Sequence, residues 1–239
     1  MVVPAAAALT ALAVLVGLGT WQIERKAWKE ALIATLTERL RADPVALPQP
    51  GNWAQMSAQD WEFRRVRLQA GFAGGGDALL YASGSNLRDD VKAPGYFVFT
   101  PARLPDGGTV VVNRGYVTGR SAPPAPAAQD VVGVVRFAES PSWFIAAHDA
   151  DGVVWYVRDP QAMARRRNWG AVAPFYIEQE APVPPGGLPH PAALKVGLRN
   201  HHLQYAVTWY GLAGVLVVMF ALWAAGSRHA TRRDDAADA

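Results

Sequence analysis

The chain has 239 residues, 51% of them apolar, with a net charge of +3 and no cysteine. The missing thiols exclude a disulfide framework, a thiolate zinc or iron–sulfur centre, a thiol nucleophile and a covalently attached c-type haem. Any metal or cofactor must be held by His, carboxylate, Tyr, Met or backbone, and the only histidines are His148, His190, His201, His202 and His229. The small net charge argues against a nucleic-acid partner.

Residues 1–21 open with MVVPAAAALTALAVLVGLGT, a run without one charged side chain. As a helix it would be about 30 Å long, which matches a bilayer core. No Lys or Arg precedes the run, and no small-residue cleavage site precedes Trp21. It therefore reads as a retained anchor rather than a cleavable signal peptide. The helical pattern continues through Arg25, Trp28, Leu32, Leu36 and Leu40, until Asp43-Pro44 stops it.

Residues 22–202 form the domain between two spans. Residues 41–60 are rich in Pro and Gly and read as a wrapping loop. From Phe63 to Phe72 apolar and polar residues alternate, which predicts a half-buried strand. Further strands are expected at 78–82, 95–100, 109–117, 131–137, 153–158 and 174–180, with tight turns at 105–108 and 149–152. One short helix is expected from Asp159, as N-cap, to Arg167. About seven strands with few helices between them point to an antiparallel, barrel-like sheet. Residues 119–130 and 181–193 are Pro-rich linkers.

The second apolar run covers 203–225 and carries Tyr205, Trp209, Tyr210 and Trp223 near its ends, as interfacial belts do. Residues 226–239 then form a short tail, too small for the output domain of a two-span sensor. The fold class is thus an α+β membrane protein, with two transmembrane helices flanking the sheet domain. Charges flank both spans, so charge alone does not orient them.

An enzyme would need a nucleophile with a base and an orienting group. No Ser lies in a nucleophile-elbow context, and His148 sits in a polar turn. Asp149-x-Asp151-Gly lacks the later ligands of a calcium loop, and Gly74–Gly76 lacks the Lys and Ser/Thr of a phosphate loop. Arg165-Arg166-Arg167 reads as a solvated helix face, with lipid headgroups as the second option.

The densest constellation is at the mouth of the second span, from Arg199 to Trp209. On a helix, His202, Tyr205, Ala206, Trp209 and Ala213 fall on one side. That side offers an imidazole, two aromatic walls and two small residues, the edge of a site for a haem or another planar amphipathic ligand. The competing reading is that His202 and Tyr205 sit at the membrane interface and Trp209 is a belt residue. Arg199 and Arg25 could pair with carboxylates of such a ligand or act as interfacial anchors.

Five blocks carry a resemblance. Gly17-Leu18-Gly19-Thr20-Trp21-Gln22 with Arg25 and Trp28-Lys29 comes first. Gly95-Tyr96-Phe97-Val98 with Thr100-Pro101, and Val112-Asn113-Arg114-Gly115-Tyr116-Val117, follow. Trp155-Tyr156-Val157-Arg158-Asp159 with Ala162-Met163-Ala164, and Arg199 to Leu212, complete the set. In this order they resemble the Surfeit locus protein family of cytochrome c oxidase assembly factors. His201 and Pro160 depart from the pattern.

The resemblance implies a non-enzymatic chaperone that binds haem a without covalent attachment. It would help insert the haem into the catalytic subunit of a haem–copper oxidase. Further implied partners are the haem a synthesis enzyme and membrane lipids. The family's His falls on His202, as haem-iron axial ligand, and its Trp on Trp209. Family topology implies cytoplasmic termini and an extracytoplasmic central domain. With no transit-like segment before the first span, a bacterial inner membrane and a periplasmic domain are expected. The competing expectation is a membrane scaffold that stabilises an oxidase subunit intermediate and never binds haem.

Overall fold

The computed structural model describes residues 2–72, 76–140, 147–149, 153–197 and 200–237. Two compact units divide the chain: residues 1–34 with 198–239, and residues 35–197.

The first unit is a helix pair. Helix α1 is Val2–Arg41, whose residues up to Ala34 belong to this unit, and α4 is His202–Ala237. Both are long and apolar enough to cross a membrane, with mean hydropathies of 2.2 and 1.9 over their most apolar stretches. The less exposed positions of α1 include Ala8, Leu12, Leu15, Gly19 and Gln22, and those of α4 include His202, Ala206, Trp209, Ala213, Leu216 and Phe220. Steps of three and four alternate along both sets, the seam of a two-helix pair. Two hydrogen bonds fix the antiparallel register, His202 to Gln22 at 2.7 Å and Thr20 to Tyr210 at 3.0 Å. Lipid gives apolar side chains little reason to leave it for a helix, so close approach and polar pairs must hold such helices together. Gly19 supplies the approach: a Cβ there would lie 2.9 Å from the Tyr210 ring.

The second unit is built on a mixed sheet. Its strands are β1 (Val45–Ala46), β2 (Arg65–Phe72), β3 (Ala78–Ala82), β4 (Gly95–Arg103), β5 (Thr109–Val117), β6 (Gln129–Phe137), β7 (Val154–Trp155) and β8 (Phe175–Ala181). The expectation of an antiparallel sheet is corrected here. The pairs β1–β2, β3–β7 and β5–β8 are parallel. The reason is topological: β8 enters between β6 and β5 after the crossover through α3 (Pro160–Arg167), so it pairs antiparallel with one and parallel with the other. Strands β2, β6, β8, β5 and β4 form a closed circuit of pairings, the last link being Gly71 with Arg103 and Phe72 with Ala102.

All five strands of this circuit contribute to one apolar core, among them Val66, Leu68, Val110, Val112, Val135, Phe175 and Ile177. A second core lies on the opposite faces of β4, β5 and β8. There Phe97, Phe99, Val111 and Tyr176 meet Leu80 of β3, Trp155 of β7 and Met163 of α3. This layering explains the patterns. In β2 buried and more exposed positions alternate, while β4, β5 and most of β8 are buried on both faces.

The expected 41–60 loop carries structure of its own. It holds β1, a 3-10 turn at Pro50–Gln55 and helix α2 (Ala58–Trp61). Trp53 from this segment enters the first core and anchors its indole N–H on the Pro48 carbonyl at 2.8 Å. The expected 153–158 strand shortens to β7, beyond which Asp159 caps α3 by accepting from Ala162 N at 2.8 Å. The β4–β5 turn at 105–108 closes through Leu104 N to Gly108 O at 2.7 Å. The 149–152 turn lies mostly outside the described residues, as do Gly74 and Gly75 of the glycine run, while Gly76 is described with φ at +75°.

Candidate functional site

Two polar groupings could carry chemistry. The first is within the sheet domain. Arg114 of β5, 4% exposed, donates to Thr100 Oγ1 at 2.8 Å, to Asp77 at 3.1 Å and twice to the Pro123 carbonyl at 3.1 Å. Burial pulls its pKa below the ordinary guanidinium value, and the Asp77 charge opposes that pull. Asn113 beside it donates to Glu178 at 2.9 Å and accepts from Gly115 N at 3.1 Å. Arg88 clamps Asp90 at 2.5 Å and the His190 carbonyl at 2.8 Å, and the Arg88 hydrogen bond lowers the Asp90 pKa.

These contacts satisfy buried groups and tie β5 to the segments at 77, 100, 123 and 190. The Thr100 hydroxyl donates to Asp77 at 2.5 Å, and Arg114 holds both of these groups in the same structural network. His148 is half-buried, its Nδ1 lies 2.6 Å from the adjacent Asp149 carbonyl, and its ring packs edge-on to Trp155 at 4.9 Å. Among the described residues no three His, Asp or Glu side chains are grouped to hold a metal ion. The grouping is a scaffold.

The second grouping is the His202 end of the helix pair. Residue 202 opens α4, and its backbone N–H is accepted by Asn200 Oδ1 at 3.4 Å, an N-terminal capping contact. Its side chain is half-buried on the seam, with Nδ1 at 2.7 Å from Gln22 Oε1. If the neutral ring donates from Nδ1 to this amide oxygen, Nε2 keeps the lone pair through which imidazole binds a metal.

The structure joins His202, Ala206, Trp209 and Ala213 along the seam, as the helical spacing predicts. It does not join Tyr205, which is 56% exposed and lies to one side of the seam. The expectation that Ala206 and Ala213 leave room for a flat ligand is corrected: at 1% and 5% exposure they are buried on the seam, and the facing helix takes that space. Trp209 is two turns deeper than His202, about 10 Å along the axis.

Arg25 is exposed, one side of its guanidinium stacked 4.0 Å from the Trp28 ring centroid. Arg199 lies outside the described residues. His201 is exposed, so the two neighbouring imidazoles differ in setting. Sequence reasoning missed Gln22 and Gly19 as site residues. Gln22 stood in the first resemblance block, but its partner is 180 residues away.

The SURF1 family model matches residues 9–214. The chain is 34% identical to rat Surfeit locus protein 1 over 215 residues, which covers 82% of this chain and 67% of the rat protein. It is 36% identical to a SURF1-like protein of Monosiga brevicollis over 220 residues, covering 85% of this chain and 81% of that one. Human Surfeit locus protein 1 is 35% identical over 217 residues, covering 82% and 69% of the two chains. The match takes in most of α1, the whole sheet domain and the start of α4, and this chain belongs to the SURF1 family.

Proposed function

We propose that this protein is a two-span assembly factor for haem–copper cytochrome c oxidase, which holds haem a non-covalently and passes it to the catalytic subunit. The observation that carries the reading is His202, a half-buried imidazole on the helix pair whose Nδ1 lies 2.7 Å from Gln22 Oε1. A bare ion finds no three-ligand cluster among the described residues. Haem brings its own ring nitrogens and asks the protein only for axial side chains, so a single oriented His suits it.

Haem a supplies the redox-active iron of the recipient oxidase. The residues here bind and release it. His202 would hold the iron of such a haem through Nε2. Trp209 and Tyr205 give aromatic surface at the ring edge, and the planar guanidinium groups of Arg25 and Arg199 suit the propionates. One neutral axial ligand gives an affinity moderate enough for transfer. The sheet domain, with its chemistry confined to structural pairs, docks the oxidase subunit; the haem a synthesis enzyme is the donor partner. The setting is a bacterial inner membrane, with both termini cytoplasmic and the sheet domain periplasmic.

The test is the haem content of oxidase purified from cells lacking this protein. A deficit of haem a in an otherwise assembled catalytic subunit is expected. A normal complement would make the protein a scaffold that never handles haem.

A further inference from the structure

The His202 ring makes one hydrogen bond among the described residues, to Gln22 Oε1 at 2.7 Å. The contact joins α1 to α4 across 180 residues of sequence. It falls one helical turn from Gly19, where the Tyr210 ring leaves no room for a Cβ. Close approach at Gly19 thus sets the separation at which a Gln side chain on α1 reaches the first residue of α4.

We propose that Gln22 is a positioning residue that fixes the tautomer of His202, keeping the proton on Nδ1 and leaving Nε2 free to bind. Neutral histidine in water favours the opposite form, with the proton on Nε2. A fixed acceptor at Nδ1 reverses that preference before any ligand arrives. Nε2 is also the ring atom farthest from the backbone, so a broad planar ligand approaching it clears the helix. Histidines that bind metals commonly donate their other N–H to an oxygen, and that partner sets ring orientation and ligand strength.

Here the partner is a neutral amide rather than a carboxylate. A carboxylate would draw the ring toward imidazolate and strengthen its bond to iron. An amide holds the geometry and leaves the bond weaker, which fits a carrier that must let go. This functional consequence rests on the haem reading of His202. The tautomer itself belongs to the chain alone.

The experiment uses the full chain, with nitrogen-15 labelled histidine, in lipid nanodiscs at a pH where imidazole is neutral. The His202 signals are assigned by their loss in His202→Ala. In wild type Nδ1 is expected to give a protonated, pyrrole-type resonance and Nε2 a pyridine-type one. Gln22→Leu should exchange the two patterns, and Gln22→Glu, which keeps an acceptor, should preserve the wild-type pattern. A proton on Nε2 in wild type, or an unchanged pattern in Gln22→Leu, would overturn the proposal; the wild-type spectrum decides even if the leucine variant does not fold.

Titration with haem a adds a second readout. Gln22→Leu should weaken binding by about tenfold or more, whereas Gln22→Glu should not and should release haem more slowly. Equal affinity of wild type and Gln22→Leu would contradict the positioning role. If wild type takes up no haem a, the haem reading falls and the nitrogen spectrum alone decides the role of Gln22.

Discussion

Replacing Arg114 with Met tests how the sheet domain is held. Arg114 is 4% exposed and makes four hydrogen bonds, to Thr100, to Asp77 and twice to the Pro123 carbonyl. Methionine fills similar volume but strands these acceptors. Removing one partner of a buried pair costs about 3–5 kcal/mol, because the other charge stays behind. The Asp77 side chain is 26% exposed, so water reaches part of it and the lower end, about 3 kcal/mol, is expected. For a domain of this size each kcal/mol shifts Tm by roughly 2–4 °C, which gives a drop of about 6–12 °C. The assay is thermal unfolding of the full chain in detergent, followed by the far-ultraviolet sheet signal. Arg114→Lys keeps the charge but not the fork and should recover only part of the loss. Adding Asp77→Asn to Arg114→Met should also recover part, since the stranded charge is then gone. A drop below about 2 °C in Arg114→Met would refute the network as a structural clamp.

Three further predictions concern single positions. The Tyr176 hydroxyl is fully buried, has no partner among the described residues, and is pushed above the ordinary phenol pKa by burial. The neutral form is therefore favoured by folding. Stability conferred by Tyr176 is present below pH about 10 and falls by about 1.4 kcal/mol per pH unit above it, so Tyr176→Phe should match or exceed wild type at neutral pH and show a shallower alkaline loss in urea titrations; a parallel loss in both would contradict this. At Gly115, φ is +130° and a Cβ would overlap the His190 carbonyl, where Tyr116 and His190 pair at 3.0 and 2.9 Å. Gly115→Ala should cost roughly 3 kcal/mol or more, read as a lowered urea midpoint, and a midpoint equal to wild type would show that the two segments are not held together. In the helix pair, Gly19→Leu should push Tyr210 aside and break the His202–Gln22 contact, so that hydrogen exchange at the start of α4 accelerates; unchanged exchange there would contradict close approach at Gly19.

Local pattern made several elements legible, and distance in sequence hid the rest. The alternation of β2, the turn at 105–108 and the Asp159 cap of α3 are written in neighbouring residues, and all three are found. Parallel pairing was not readable, because Val111 meets Tyr176 only after β6, β7 and α3 have intervened. Strand β1 is two residues long and exists through its partner Val66–Arg67 rather than through its own pattern. Two blocks of the resemblance turn out to be structural: Asn113, Arg114 and Gly115 lock β5 to its neighbours, while Trp155 and Asp159 fill the second core and start α3.

At the candidate site, helical spacing placed His202 and Trp209 on one side. It could not separate them from Tyr205, because an apolar helix in lipid shows no contrast between its seam and its lipid face. The contrast is written instead in small and polar residues of both helices: Gly19 and Gln22 on α1, Ala206 and Ala213 on α4.

The central claim is that His202 holds haem a. Its most direct test is the haem content and absorption spectrum of the protein purified from cells that make haem a, compared with His202→Ala and His201→Ala. The account predicts that wild type carries haem a, that His201→Ala keeps it because that ring is exposed and off the seam, and that His202→Ala loses it. Equal haem loads and spectra in wild type and His202→Ala would contradict it.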